Sequence, residues 1–156
     1  MKITLLVVGK TTSAQIESLI LDYQKRLTHY VPFALQVIPE LKNTKALTPD
    51  QQKQAEGELI LRAVAQNADL VLLDEHGKEY RSIEFADYIQ KKMSSGRDVV
   101  FVVGGPYGFS EAVYQRANGK ISLSKMTFSH QMVRLFFVEQ IYRAMTILRG
   151  EPYHHE

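Results

Sequence analysis

Two groups of residues in this chain combine side-chain type and spacing in a way that can do chemistry. The first is Gly104-Gly105-Pro106-Tyr107-Gly108, which follows five consecutive apolar residues, Val99 to Val103. An unbroken β-branched run of this kind reads as a strand buried on both faces of a parallel sheet. The glycines let the backbone approach a ligand with no Cβ in the way, and Pro106 stiffens the turn. Ligands of open α/β sheets bind at the carboxyl ends of strands, so Gly104 to Gly108 is expected to floor a site. A strand-to-helix turn with no ligand fits the same residues. The second group is Glu139 and Arg143, one helical turn apart with the acid first, the favourable order for an ion pair. Such a pair is either a structural bridge or a cation held ready for a phosphate or a planar base. Tyr107 reads as a core residue or as a stacking platform, and His130 as a helix-start residue.

Other chemistries are excluded by what the chain lacks. Gly9-Lys10-Thr11 resembles the end of a phosphate-binding loop, but that motif needs a glycine where Thr4 stands. No dinucleotide fingerprint, nucleophile elbow or zinc-protease motif is present. The absence of cysteine removes disulfides, thiolate nucleophiles and cysteine-based zinc sites, and fits a reducing cytoplasm. His154 and His155, beside Glu151 and Glu156, read as an exposed chain end, and no metal is expected. The first apolar run, Met1 to Val8, is too short for a membrane span and lacks a signal-peptide pattern. A net charge of +2, with basic residues spread along the chain, permits an RNA partner only through a folded patch or through two subunits together.

The elements that position these groups alternate between strand and helix. With 156 residues, the chain reads as one domain, 1–156. Strands are expected at Lys2–Val8, Phe33–Ile38, Asp69–Leu73, Val99–Val103 and Lys120–Leu123. Ile16, Leu19, Ile20, Tyr23 and Leu27 recur at helical spacing and predict a helix over about 13–27, with Thr12 as N-cap and Gln15 as its partner. Pro39–Leu47 reads as a polar loop. Thr48-Pro49-Asp50-Gln51 is a helix start with a capping box, and that helix runs to about Gln66. Ser82 caps a helix to about Met93, and Ser110 opens a short one, Glu111–Ala117. His130–Arg149 is the longest helix and is apolar around almost its whole circumference, which predicts burial in a subunit interface, most economically a two-fold dimer. The pattern is a parallel sheet with helices on both faces. Loops after Leu73, Val103 and Leu123 are expected to share one pocket.

Several segments together resemble one family. They are Leu73-Asp74 with Gly77-Lys78, Gly96-Arg97-Asp98-Val99, Gly104 to Gly108, and Ser122-Leu123-Ser124 with Thr127 and His130. Val133-Arg134, Glu139, Tyr142-Arg143-Ala144 and Pro152-Tyr153-His154 complete the set. This resembles the RlmH (YbeA) family of SPOUT-class 23S rRNA pseudouridine methyltransferases, from the first strand to the tail. The resemblance implies an α/β fold with a deep C-terminal trefoil knot, which pattern reasoning alone would not propose. It implies a cytoplasmic homodimer using S-adenosylmethionine to methylate ring nitrogen 3 of a pseudouridine in helix 69 of 23S rRNA, on the assembled ribosome. It places Leu73, Gly104 and the loop Leu123, Ser124, Lys125, Met126, Thr127 and Phe128 in the donor site. It suggests that Arg143 orients the uracil ring or a phosphate, that Glu139 holds Arg143, and that Tyr153 and His154 close the site and assist proton removal. One departure is His155, where the family usually has Arg or Lys. Two other classes stay open on the sequence: a ribosome-binding dimer with a vestigial donor pocket, and a nucleotide-binding α/β enzyme of another kind.

Overall fold

The computed structural model describes residues 1–156. Five strands, β1 (Ile3–Val8), β2 (Phe33–Ile38), β3 (Asp69–Glu79), β4 (Val99–Val103) and β5 (Gly119–Ser122), form one sheet in the order β2-β1-β4-β3-β5. All neighbours are parallel. Five helices connect or follow them: α1 (Ala14–Leu27), α2 (Pro49–Ala63), α3 (Ser82–Ser94), α4 (Glu111–Arg116) and α5 (Met132–Leu148). Helices α1, α3 and α5 cover one face of the sheet, with Phe101 of β4 against Phe137 of α5 at its heart. Helices α2 and α4 cover the other, over Leu6, Leu70, Leu72 and Val102. The alternating strand residues thus feed two cores, so the central strands carry no polar face and read as continuous apolar runs.

Local rules account for most element ends. Thr48 Oγ1 accepts from Gln51 N, and Gln51 Oε1 accepts from Thr48 N, the expected capping box. At α1 the cap is Ser13, not Thr12: Ser13 Oγ accepts from Ile16 N, while Thr12 N donates to Gln131 across the fold. Helix α2 ends at Ala63, ahead of the expected Gln66, and a 3-10 turn (Thr44–Ala46) occupies the polar loop. Strand β3 continues beyond Leu73, because after a bulge it pairs again with β5 at Lys78 and Glu79.

Helix α5 places only part of its apolar circumference inside the protomer. Phe137, Val138, Ile141, Ala144 and Met145 are buried within this chain, so the protomer's own sheet and flanking helices take up one side of the helix. The opposite side runs through Val133, Phe136, Gln140, Arg143 and Ile147, none of them buried, with Phe136 39% exposed. Arg134, at 2% exposure, is buried by design rather than by dimerisation. Its Nη2 donates to Val8 O at 3.0 Å, Nε to His130 O at 3.0 Å and Nη1 to Thr11 Oγ1 at 3.2 Å. Burial lowers its pKa and the Glu40 carboxylate opposes that shift.

On the other face, α2 approaches the chain after β4 unusually closely. A Cβ on Gly57 would lie 2.4 Å from Ser110 Oγ, which itself caps α4 by accepting from Val113 N. Gly57 therefore gives up helix propensity, about 1 kcal/mol, to let the two segments touch. Gly57→Ala is expected to destabilise the fold by about 2 kcal/mol through overpacking. Urea unfolding measures this, and the same change at a free helical position would stabilise.

Candidate active site and its flanking polar cluster

The carboxyl ends of β3, β4 and β5 open into a cavity of about 560 Å³. Three segments wall it. Leu73 with Asp74, Glu75 and His76 comes from the β3 bulge, and Gly104 to Phe109 from the turn after β4. Leu123, Ser124, Met126, Thr127 and Phe128 come from the segment between β5 and α5, followed by His130 and Val133. The three loops chosen from the sequence therefore meet. Lys125 is not among the lining side chains; it lies in the same segment, 87% exposed, with Nζ 3.9 Å from Glu79. Local hydrogen bonds shape this segment: Ser122 Oγ donates to Ser124 O, and Ser124 Oγ accepts from Met126 N. Phe128 packs on Phe136 of α5. Tyr107 lines the cavity and is half exposed, which removes the core reading.

A second cluster lies on α5 and the tail. Glu139 Oε1 accepts from Arg143 Nη2 at 2.6 Å and from Tyr153 Oη at 2.9 Å, while Oε2 accepts from Gln140 at 3.0 Å. Arg143 Nη1 meets His154 Nδ1 at 3.0 Å. A guanidinium only donates, so Nδ1 accepts and the ring proton sits on Nε2, which faces Glu156 Oε1 at 3.3 Å. Tyr153 also meets Tyr23 Oη at 3.1 Å, and its ring lies under the Arg143 guanidinium. Burial, then the bonds to Tyr23 and Glu139, push the Tyr153 pKa well above the ordinary phenol range. Tyr153 is thus a neutral hydroxyl donor at physiological pH. His155 is exposed. The cluster is not at the cavity of the same chain: ten residues of helix separate Val133, at the cavity, from Arg143, about 15 Å along the axis.

Sequence reasoning missed Tyr114 in the cavity wall and Glu56 behind it. Tyr114 of α4 donates to Asp74 Oδ2 at 2.5 Å, and burial followed by that bond raises its pKa to about 12. Glu56 of α2 is 4% exposed, and its carboxyl lies against Gly105. Its Oε2 accepts weakly from Gln52 at 3.4 Å, and its Oε1 has no hydrogen-bond partner. The helical glycine at 57 was the available signal, since such a residue marks a close approach. No cluster of three or more His, Cys, Asp or Glu side chains is arranged to hold a metal ion.

A parallel sheet with a cavity at three strand ends, roofed by the segment that leads into the last helix, is the arrangement of a methyltransferase of the SPOUT class. The family model described as "Predicted SPOUT methyltransferase" matches residues 1–154, and the chain belongs to that family. It is an S-adenosylmethionine-dependent methyltransferase. Within the class its relatives are specific. It is 64% identical to the "Ribosomal RNA large subunit methyltransferase H" of Bacteroides thetaiotaomicron over 157 aligned positions, covering all of both chains. The proteins of the same name from Parabacteroides distasonis and Flavobacterium johnsoniae are 62% and 57% identical, again over the full length of both. The chain is a member of this RlmH family. No helix is long and apolar enough to cross a membrane.

Burial raises the Glu56 pKa; Gln52 and His130 oppose the shift, and Glu40 adds to it. The folded state then holds its proton more tightly than the unfolded chain. Stability is complete below the ordinary glutamate range and is lost as pH rises from there through the raised folded value. Glu56→Gln, which mimics the neutral acid, is expected to match the parent at low pH. Above the ordinary range its melting temperature should exceed the parent's, with a gap that widens and then levels. Thermal unfolding across pH checks this.

Proposed function

We propose that this chain, as one SPOUT domain with a C-terminal trefoil knot, works in the cytoplasm as a homodimer. In this reading it methylates ring nitrogen 3 of a pseudouridine in helix 69 of 23S rRNA on assembled ribosomes. The observation that carries the reading is the cavity at the ends of β3, β4 and β5, set in a chain whose full-length relatives are named as large-subunit rRNA methyltransferases. The knot is supported by the path of the chain. From β5 at one edge, residues 123–131 cross the strand ends to reach β1, where Arg134 binds Val8 O.

The cavity suits S-adenosylmethionine. Its volume lies in the range for a ligand of that size. Leu73, Leu123, Phe128 and Val133 offer apolar walls for an adenine, and Asp74 and Glu75 offer negative charge to a cationic ligand. When bound, the donor supplies a methyl group on a sulfonium, a good leaving group. The protein's tasks are therefore to orient the base, exclude water and accept the proton that leaves the ring nitrogen. Arg143, held by Glu139, supplies the planar fork for a uracil carbonyl or a phosphate. Its movement toward substrate frees His154 Nδ1, which then becomes the acceptor for the N3 proton. Tyr153 keeps Glu139 in place as a hydroxyl donor.

Because Arg143 stands about 15 Å of helix away from the cavity of its own chain, a complete site draws these residues from a second protomer. The unburied stripe Val133, Phe136, Gln140, Arg143 and Ile147 on α5 is the surface available for that pairing.

Labelled S-adenosylmethionine offered to ribosomes and to free rRNA tests the reaction. The expected result is label at nitrogen 3 of one large-subunit pseudouridine, with ribosomes only. Arg143→Ala and His154→Ala are expected to slow single-turnover transfer about 100-fold with donor affinity retained; full rates in both would remove the assignment. Mixing Arg143→Ala with a donor-pocket variant such as Gly104→Val should restore about a quarter of the parent rate through mixed dimers with one intact site. No recovery would place both groups on one chain.

A further inference from the structure

The cavity's central turn begins with two glycines, Gly104 and Gly105, which have no side chains of their own to anchor it, so something behind it has to fix its position. Two residues of α2 do so, and both contacts depend on a missing Cβ. Gly57 lets the helix touch Ser110 at the end of the turn. At the start of the turn, a Cβ on Gly105 would fall 2.3 Å from Glu56 Oε1 and 2.7 Å from both the carboxyl carbon and Oε2. The carboxyl thus fills the space a side chain at 105 would need. Gly105 is not in a left-handed conformation, so close approach rather than backbone angle requires glycine there. Glu56 is an unusual choice for a filler. It is 4% exposed, makes one weak hydrogen bond and leaves Oε1 without a partner. An apolar residue would be cheaper at a purely packed position.

We propose that Glu56 is a positioning residue for the donor site: its buried carboxyl seats Gly105 and thereby sets the height of the Gly104–Gly108 turn beneath the donor. This rests on the reading that the cavity binds S-adenosylmethionine. The planar carboxyl is a flat spacer against the Gly105 backbone, and an alkyl group of equal length does not have that shape. Gln keeps the shape and removes the charge. Ala opens a void behind the turn and lets it sink. Glu56 itself does not line the cavity, so it acts through Gly105 rather than on the donor.

Calorimetric titration of S-adenosylmethionine into the purified full-length protein tests the contact by a size swap. Gly105→Ala is expected to weaken donor binding at least tenfold, because the new methyl meets the carboxyl and lifts the turn. Combining it with Glu56→Ala makes room for that methyl and should bring affinity back to within about threefold of Glu56→Ala alone. Glu56→Ala by itself should weaken binding several-fold, and Glu56→Gln should restore it. In turnover assays the Glu56→Ala defect should appear in KM for the donor, with kcat at saturating donor within about twofold of the parent. A double variant no tighter than Gly105→Ala overturns the proposal. So does Glu56→Ala with parental affinity, which decides the matter if Gly105→Ala fails to fold. Failure of the folded parent protein to bind the donor overturns the donor-site reading itself, and is distinguishable from either result.

Discussion

The buried guanidinium of Arg134 is the constraint on which the functional half of the molecule depends. It joins the start of α5 to the end of β1 through Val8 O and Thr11, and to His130 four residues before it in the chain. β5 lies at the far edge of the sheet, so the chain between β5 and α5 is obliged to cross the ends of β3 and β4. That crossing is the roof of the cavity. A buried cation without a carboxylate in hydrogen-bond contact is costly, and here backbone carbonyls and one hydroxyl satisfy it. The geometry of the guanidinium explains why lysine would not serve, since three acceptors from separate segments are reached by one planar fork.

The opposite wall depends on α2. Its Glu56-Gly57 pair touches Gly105 at one end of the central turn and Ser110 at the other. The turn is therefore clamped from behind, while its front faces the cavity. The two helical layers divide the labour: the α5 side supplies the roof and the charged cluster, and the α2 side fixes the floor.

Much of this was legible in the residues. The apolar run Val99 to Val103, the capping box at Thr48 and the Glu139–Arg143 spacing all act locally, so they can be read from short windows. What was not legible depends on contacts between distant segments. The cap fell to Ser13 rather than Thr12 because α1 starts one residue later than its spacing suggested, while the Thr12 amide binds Gln131 from across the fold. β3 outran Leu73 because β5 offered it further partners. The apolar circumference of α5 combines two sides that the residues do not separate, one covered by the protomer's own sheet and one left unburied in this chain. Glu56 carried no signal of its own beyond the helical glycine beside it, because a glutamate in a helix is ordinarily solvated; its meaning comes from the glycine it meets across the fold.

The bulge in β3 has a mechanical meaning. Residues Asp74 to Gly77 hang between two stretches of ladder, one ending at Leu73 and the other beginning at Lys78, both paired to β5. A loop pinned at both feet behaves as a fixed sill and not as a flap. The central turn is held by α2 and the sheet forms the base, so three sides of the cavity are tied into the fold. The remaining side is the crossing segment, where Lys125, at 87% exposure, and Met126, at 76%, stand open to solvent. A surface laid over this segment would close the chamber on the one side that neither the ladder, nor α2, nor the sheet secures.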